Sequence, residues 1–230
     1  MQIGQVISPA ALVDRKRIER NTQEMSERMT RLGVSLRPHV KTHKCKEAAL
    51  LQVHGHNGGI TVSTLAEAKG FAKEGFRDIT YAYPLPITRL TEIEDLQKQV
   101  DRLNLVLDQE TSLEVLEKRG GLFRIYLKVD CGDHRCGVDP QKKESIDLAK
   151  RIATSPVVDF QGILTHGGHS YLCKNEAEIR KAAAEERDIA VQFASQLREE
   201  GISVPEVSIG STPTMRHVDH LEGITEVRPG

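Results

Sequence analysis

The sequence predicts a (β/α)8 barrel, and three observations point to it. Short apolar, β-rich runs recur eight times along the chain, and segments of 3.6-residue periodicity separate most of them. The length of 230 residues suits about eight strand–helix units, near the lower end of the usual barrel size. No GxGxxG follows the first strand, which counts against the alternative, a doubly wound dinucleotide-binding sheet.

The elements follow in order. Ile18, Met25, Met29 and Leu32 make the apolar stripe of a first helix. Strand one is expected at 36–42, where two-residue alternation puts Arg37, His39 and Lys41 on one face and Pro38 and Val40 on the other. Strands two and three are expected at 59–63 and 78–83. Leu90, Ile93, Leu96 and Val100 mark the helix before strand four at 103–107. Strand five covers 124–129, and Ile146, Ala149 and Ile152 belong to the helix after it. Strand six covers 160–165. The longest helix spans 175–200, with Ile179, Ala182, Ala183, Ile189, Phe193, Ala194 and Leu197 facing inward. Strands seven and eight are expected at Glu206–Ile209 and 223–228. A further β-like run at 7–13 stands outside the eight, and Pro229-Gly230 is a turn signal from which further chain is expected.

Composition narrows the function. Lys+Arg 32 against Asp+Glu 33 gives a net charge of -1, without the basic footprint of a nucleic-acid binder or the polybasic cluster of a membrane-surface protein. Trp is absent and aromatics are 4%, which disfavours a stacking platform for single strands. No apolar stretch is long enough to span a bilayer, and the N-terminus has no signal-peptide pattern. Cys45, Cys131, Cys136 and Cys173 have no CxxC spacing, so reduced thiols in a cytoplasmic protein are expected.

Active sites of this fold lie at the C-terminal ends of the strands, so the polar residues there carry the chemistry. Arg37, His39 and Lys41 in one strand put three potential cations toward the barrel, which is costly unless an anion sits there. Gly210-Ser211-Thr212-Pro213 after strand seven reads as a helix start whose N–H groups and hydroxyls suit phosphate. Arg135, bracketed by Gly132 and Gly137, can reach back over the mouth. His166 and His169 straddle Gly167-Gly168 with no helix to align them, which argues against a closed zinc site. A lysine among cations has a lowered pKa and becomes a usable amine nucleophile. Schiff-base chemistry on a phosphorylated carbonyl follows. Spacing leaves both pyridoxal phosphate and a sugar-phosphate aldolase open.

At these residues the chain resembles a known group. The run Arg37-Pro38-His39-Val40-Lys41-Thr42-His43-Lys44 is similar to the signature of the D-threonine aldolase and eukaryotic-type D-serine dehydratase family, alanine racemase-like (fold type III) enzymes that use pyridoxal 5′-phosphate. Thr61 to Ala68, Tyr81 to Pro84, Gly132 to Gly137, His166 to Tyr171 and Gly210 to Thr212 extend the resemblance over essentially the whole chain. It implies that Lys41 forms the Schiff base and that Ser211, Thr212 and the Gly210 backbone hold the phosphate. It further implies Arg135 near the ring hydroxyl, Tyr171 beside the pyridine ring, and His39 and His169 lining the site. The activity implied is a lyase acting on β-hydroxy D-amino acids, by dehydration or retro-aldol cleavage. A racemase and a non-catalytic pyridoxal-phosphate carrier are the alternatives. The family also implies a homodimer and a C-terminal β domain that binds zinc or manganese. On this view residues 14–230 are the cofactor-binding barrel, residues 1–13 pair with that further domain, and no metal ligands are expected within the barrel.

Overall fold

A computed structural model describes residues 3–230. Its strands are β1 Ser35–Leu36, β2 Ile60–Val62, β3 Asp78–Pro84, β4 Arg102–Leu107, β5 Phe123–Lys128, β6 Val158–Leu164, β7 Glu206–Ile209 and β8 Glu226–Val227. They pair in parallel in the order β1-β8-β7-β6-β5-β4-β3-β2. The outer strands then meet at a bridge between His39 and Thr61, where the Thr61 N–H donates to the Pro38 carbonyl at 2.8 Å. The expected (β/α)8 barrel is what forms. Its helices are α1 Arg15–Arg31, α2 Lys46–Val53, α3 Leu65–Lys73, α4 Leu90–Gln97, α5 Glu110–Arg119, α6 Lys143–Thr154, α7 Glu176–Glu199 and α8 Thr212–His217.

Each helix buries one stripe against the sheet. Leu90, Ile93 and Leu96 of α4 are buried as the spacing predicts. Ala182, Ala183, Phe193, Ala194 and Leu197 of α7 are buried likewise. The enclosure of a side chain such as Phe193 contributes about 1.5–3 kcal/mol. Asn175 caps α7 by accepting the Glu178 N–H at 3.0 Å, which satisfies one of the free donors of the first turn.

Strand one needs correction. Its regular part is Ser35–Leu36, and Val40–Thr42 is a 3₁₀ turn, so Lys41 stands on a turn beyond the strand. Pro38 has no N–H to donate toward β2, which removes a rung on that side. On the other side Arg37 and His39 still donate to the Val227 and Pro229 carbonyls at 2.9 and 2.8 Å. Strand eight is likewise shorter than 223–228, because Gly223 sits at φ 81 in the turn before it. No strand forms over 7–13, where Ile7, Leu12 and Val13 are exposed. Met1 and Gln2 of the expected 1–13 segment lie outside the described residues.

The barrel interior is layered, and β5 shows why. Phe123, Ile125 and Leu127 join the large core shared with the helices, while the alternate positions point inside. At the bottom Arg124 pairs with Asp159 at 2.8 Å and donates to Asn104 at 3.0 Å. Beside it Arg37 bonds Asp78 and Glu226, both at 2.6 Å. Tyr126 forms a small separate cluster with Val106 and Leu164 in the middle. Lys128 comes third, at the top.

Candidate functional site

The site is the mouth above that middle layer. Lys41, Lys128, Arg135 and Arg228 line it together with His39, His166, Tyr83 and the Gly210 backbone. No carboxylate is among the lining side chains. Larger hollows lie on the flanks, but one is lined by Asp130 and Asp139 with no lysine or arginine, the other mixes charges of both signs, and neither gathers such a cluster.

Each cation reaches the mouth from a different element. Lys41 comes from the turn after β1 and makes no hydrogen bond or ion pair through its amine among the described residues. Burial, then the charges of Arg135 and Arg228, lower its pKa. Lys128 ends β5 and is 4% exposed. Burial, then Arg228, push it down to about 8. Arg228 follows β8, and its guanidinium donates to the Ser208 hydroxyl and the Thr165 carbonyl. Ser208 in turn donates to Glu226 at 2.6 Å, so the bottom network holds Arg228 from below. Arg135 leans from the β5–α6 loop, 3.6 Å from Asp133. That loop folds tightly because Gly137 sits at φ 110, where a Cβ would lie 2.7 Å from the Asp130 nitrogen.

Both mouth histidines are neutral. Burial, then Lys41 and Arg228, hold His39 down at about 2, and burial, then Lys128, hold His166 down at about 3. His166 Nδ1 lies 3.2 Å from the Gly210 carbonyl. A carbonyl only accepts, so Nδ1 carries the proton and Nε2 is left as an acceptor. The His39 Nδ1 accepts the Lys41 N–H at 3.4 Å.

The structure thus brings Lys41, His39, Arg135 and Gly210 together as the sequence predicts. Ser211 and Thr212 adjoin them with their hydroxyls committed. Ser211 closes a capping box with Thr214 and lies 2.9 Å from the Ser170 hydroxyl, and the Thr212 hydroxyl donates to the Gly230 carbonyl at 2.7 Å. Tyr171 and His169 do not line the mouth. They lie on the Gly168–Leu172 turn, with Tyr171 61% exposed and His169 packed over Gly132. Lys128 and Arg228 line the mouth without having been singled out from the sequence, and His166 and Tyr83 do so from within the quoted motifs, where they were given no cofactor role. Strand alternation carried a signal for Lys128, two steps beyond Tyr126.

One carboxylate stands behind the site. Glu186 of α7 is fully buried and accepts from the Thr165 hydroxyl at 2.8 Å, the Gly210 N–H at 2.9 Å and the Thr214 hydroxyl at 3.2 Å. It fixes the β7–α8 turn, where Gly210 adopts φ 114.

Known proteins are similar to this chain. A model of the alanine racemase N-terminal domain matches residues 13–230. D-serine dehydratase from Dictyostelium discoideum is 36% identical over 99% of this chain and 62% of its own length. The structure of D-threo-3-hydroxyaspartate dehydratase from Delftia sp. HT23 superposes with a TM-score of 0.93 at 36% identity, covering 98% of this chain and 61% of that one. D-threonine aldolase from Arthrobacter sp is 28% identical over 99% of this chain and 61% of its own length. The chain therefore spans about three fifths of the length of these relatives.

Proposed function

The chain belongs to the alanine racemase N-terminal domain family, and from that premise we propose that it is the pyridoxal 5′-phosphate-binding barrel of a lyase acting on β-hydroxy D-amino acids. The observation that carries this reading is the unpartnered Lys41 amine in a mouth lined by three further cations and no carboxylate. Such a donor set fits a phosphorylated aldehyde: cations for its anionic oxygens and a free amine for its carbonyl. When bound, the cofactor supplies an aldehyde for that amine and a ring that draws electrons from the substrate's Cα.

Lys41 would hold the cofactor, and burial with the nearby charges of Arg135 and Arg228 lowers its pKa, which favours the neutral amine that attachment needs. In the dehydration reading the Lys41 amine would also be the base that takes the Cα proton. Arg135 and Arg228 orient anionic oxygens, and Gly210, Ser211 and Thr212 form the phosphate turn. His39 walls the inner side, while His169 and Tyr171 stand outside the mouth on the Gly168–Leu172 turn. The activating divalent metal, zinc or manganese, is assigned to a C-terminal domain beyond this barrel. A solved structure of a D-threo-3-hydroxyaspartate dehydratase mutant is in a metal-free form. The lyase is preferred to the racemase because the relatives at 36% identity are dehydratases, whereas Corynebacterium glutamicum alanine racemase is 28% identical over 80% of this chain.

The reading includes a cytoplasmic homodimer. Cys45, Cys131, Cys136 and Cys173 are all free thiols. No helix among the described residues is long and apolar enough to cross a membrane.

The test is turnover. The barrel, joined to any further domain its gene encodes, is loaded with pyridoxal phosphate and Mn²⁺ or Zn²⁺ and offered D-serine, D-threonine and D-threo-3-hydroxyaspartate. Release of ammonia or aldehyde is expected, and Lys41→Ala abolishes it. A cofactor that binds without any product overturns the lyase in favour of a carrier.

A further inference from the structure

The lyase reading counts Lys128 among the cations of the mouth and gives its amine no task of its own. Its amine is enclosed at the inner wall of the mouth and makes no hydrogen bond or ion pair among the described residues. The charged and titratable groups around it come from every side. Arg228 faces it from the β8 end, His166 from β6, Cys131 and Cys136 from the loop after β5, and Glu186 from behind in α7. Lys41, His39 and Arg135 complete the mouth. Glu186, the one carboxylate near it, already accepts from Thr165, Gly210 and Thr214. A buried ammonium left without a partner is strongly disfavoured.

We propose that Lys128 and Arg228 form an inner oxyanion subsite, and that Lys128 takes up one proton from solvent as the anion binds. The balance is simple: the Nζ lone pair accepts the proton and no other bond forms or breaks. With its pKa held at about 8 by burial and Arg228, the empty subsite is largely neutral at Lys128 above that pH. An anion beside it favours the charged form again. The inference deepens the cofactor reading by naming what meets an anion at the inner wall. Its test nonetheless needs neither turnover nor covalent attachment.

The probe is sulfate, which does not titrate in this range. Calorimetry in two buffers of different ionisation enthalpy counts protons taken up by the wild-type protein. Above about pH 8 one linked proton makes sulfate affinity fall about tenfold per pH unit. Lys128→Met loses the uptake and that slope, whereas Lys41→Ala keeps both. If prior loading with pyridoxal phosphate blocks sulfate, the subsite serves an oxygen of the cofactor. If sulfate still binds the loaded protein and D-serine competes with it, the subsite serves the substrate carboxylate. Sulfate binding without proton uptake in the wild type overturns the proposal, whatever the variants do. So does a slope that disappears in Lys41→Ala rather than in Lys128→Met. Should sulfate behave as expected while no turnover is found, the lyase reading alone falls.

Discussion

An enclosed amine without a counter-ion weakens the fold that holds it, and Lys128 makes that cost measurable. Its folded pKa of about 8 lies below the ordinary 10.5, so between those values the unfolded chain binds the extra proton. Stability therefore rises with pH across that window, and the penalty is fully present below it. Lys128→Met is expected to gain on the order of 1–3 kcal/mol near neutral pH and little above about pH 10.5, read from urea midpoints. Gly210→Ala acts in the opposite direction. The residue sits at φ 114, and a Cβ there would lie 3.0 Å from Met215 Cγ. A loss of about 1–3 kcal/mol is expected, together with weaker pyridoxal-phosphate binding. At this scale the sequence made Lys41, His39, Arg135 and Gly210 legible, because each sits in a compact polar or glycine-rich motif after a strand. Arg228 was not legible, since its partners Ser208 and Thr165 come from two other strands.

Among the elements, α7 does more than cover the sheet. Its inward stripe carries Glu186 between Ala183 and Ala190, all buried. That one carboxylate ties α7 to the end of β6 and to the turn after β7. Glu186→Ala strands three donors in the interior and is expected to cost about 3 kcal/mol or more. Glu186→Gln keeps an acceptor for the Gly210 N–H and should cost less than half as much; equal losses in the two variants would contradict this role. The stripe itself was readable from spacing. Glu186 falls on it at the i+3 position from Ala183, but a glutamate in a charged helix gives no sign of burial until its partners from other elements are known. The first strand was misjudged for a local reason: two-residue alternation continues through Lys41, whereas Pro38 removes a rung and the chain turns at Val40–Thr42.

Across the whole molecule, charge is sorted along the barrel axis. The net charge is only -1, yet the mouth gathers cations while the bottom pairs its arginines with Asp78, Glu226 and Asp159. Polarity of that kind draws anions to one end. Arg37→Met leaves the buried Glu226 without its ion pair and Asp78 with Arg102 alone, at 3.6 Å, and about 3–5 kcal/mol of stability should be lost. Anion affinity at the mouth should change little, because Arg37 lies two layers below it; a large loss of affinity at unchanged stability would refute this layering.

The central claim is that Lys41, rather than the more deeply buried Lys128, is the amine that holds the cofactor. Borohydride reduction of the protein loaded with pyridoxal phosphate, followed by peptide mass mapping, tests it most directly. A pyridoxyl adduct is expected on Lys41 and none on Lys128 or Lys44. An adduct on Lys128, or none on any lysine of the mouth, would contradict it.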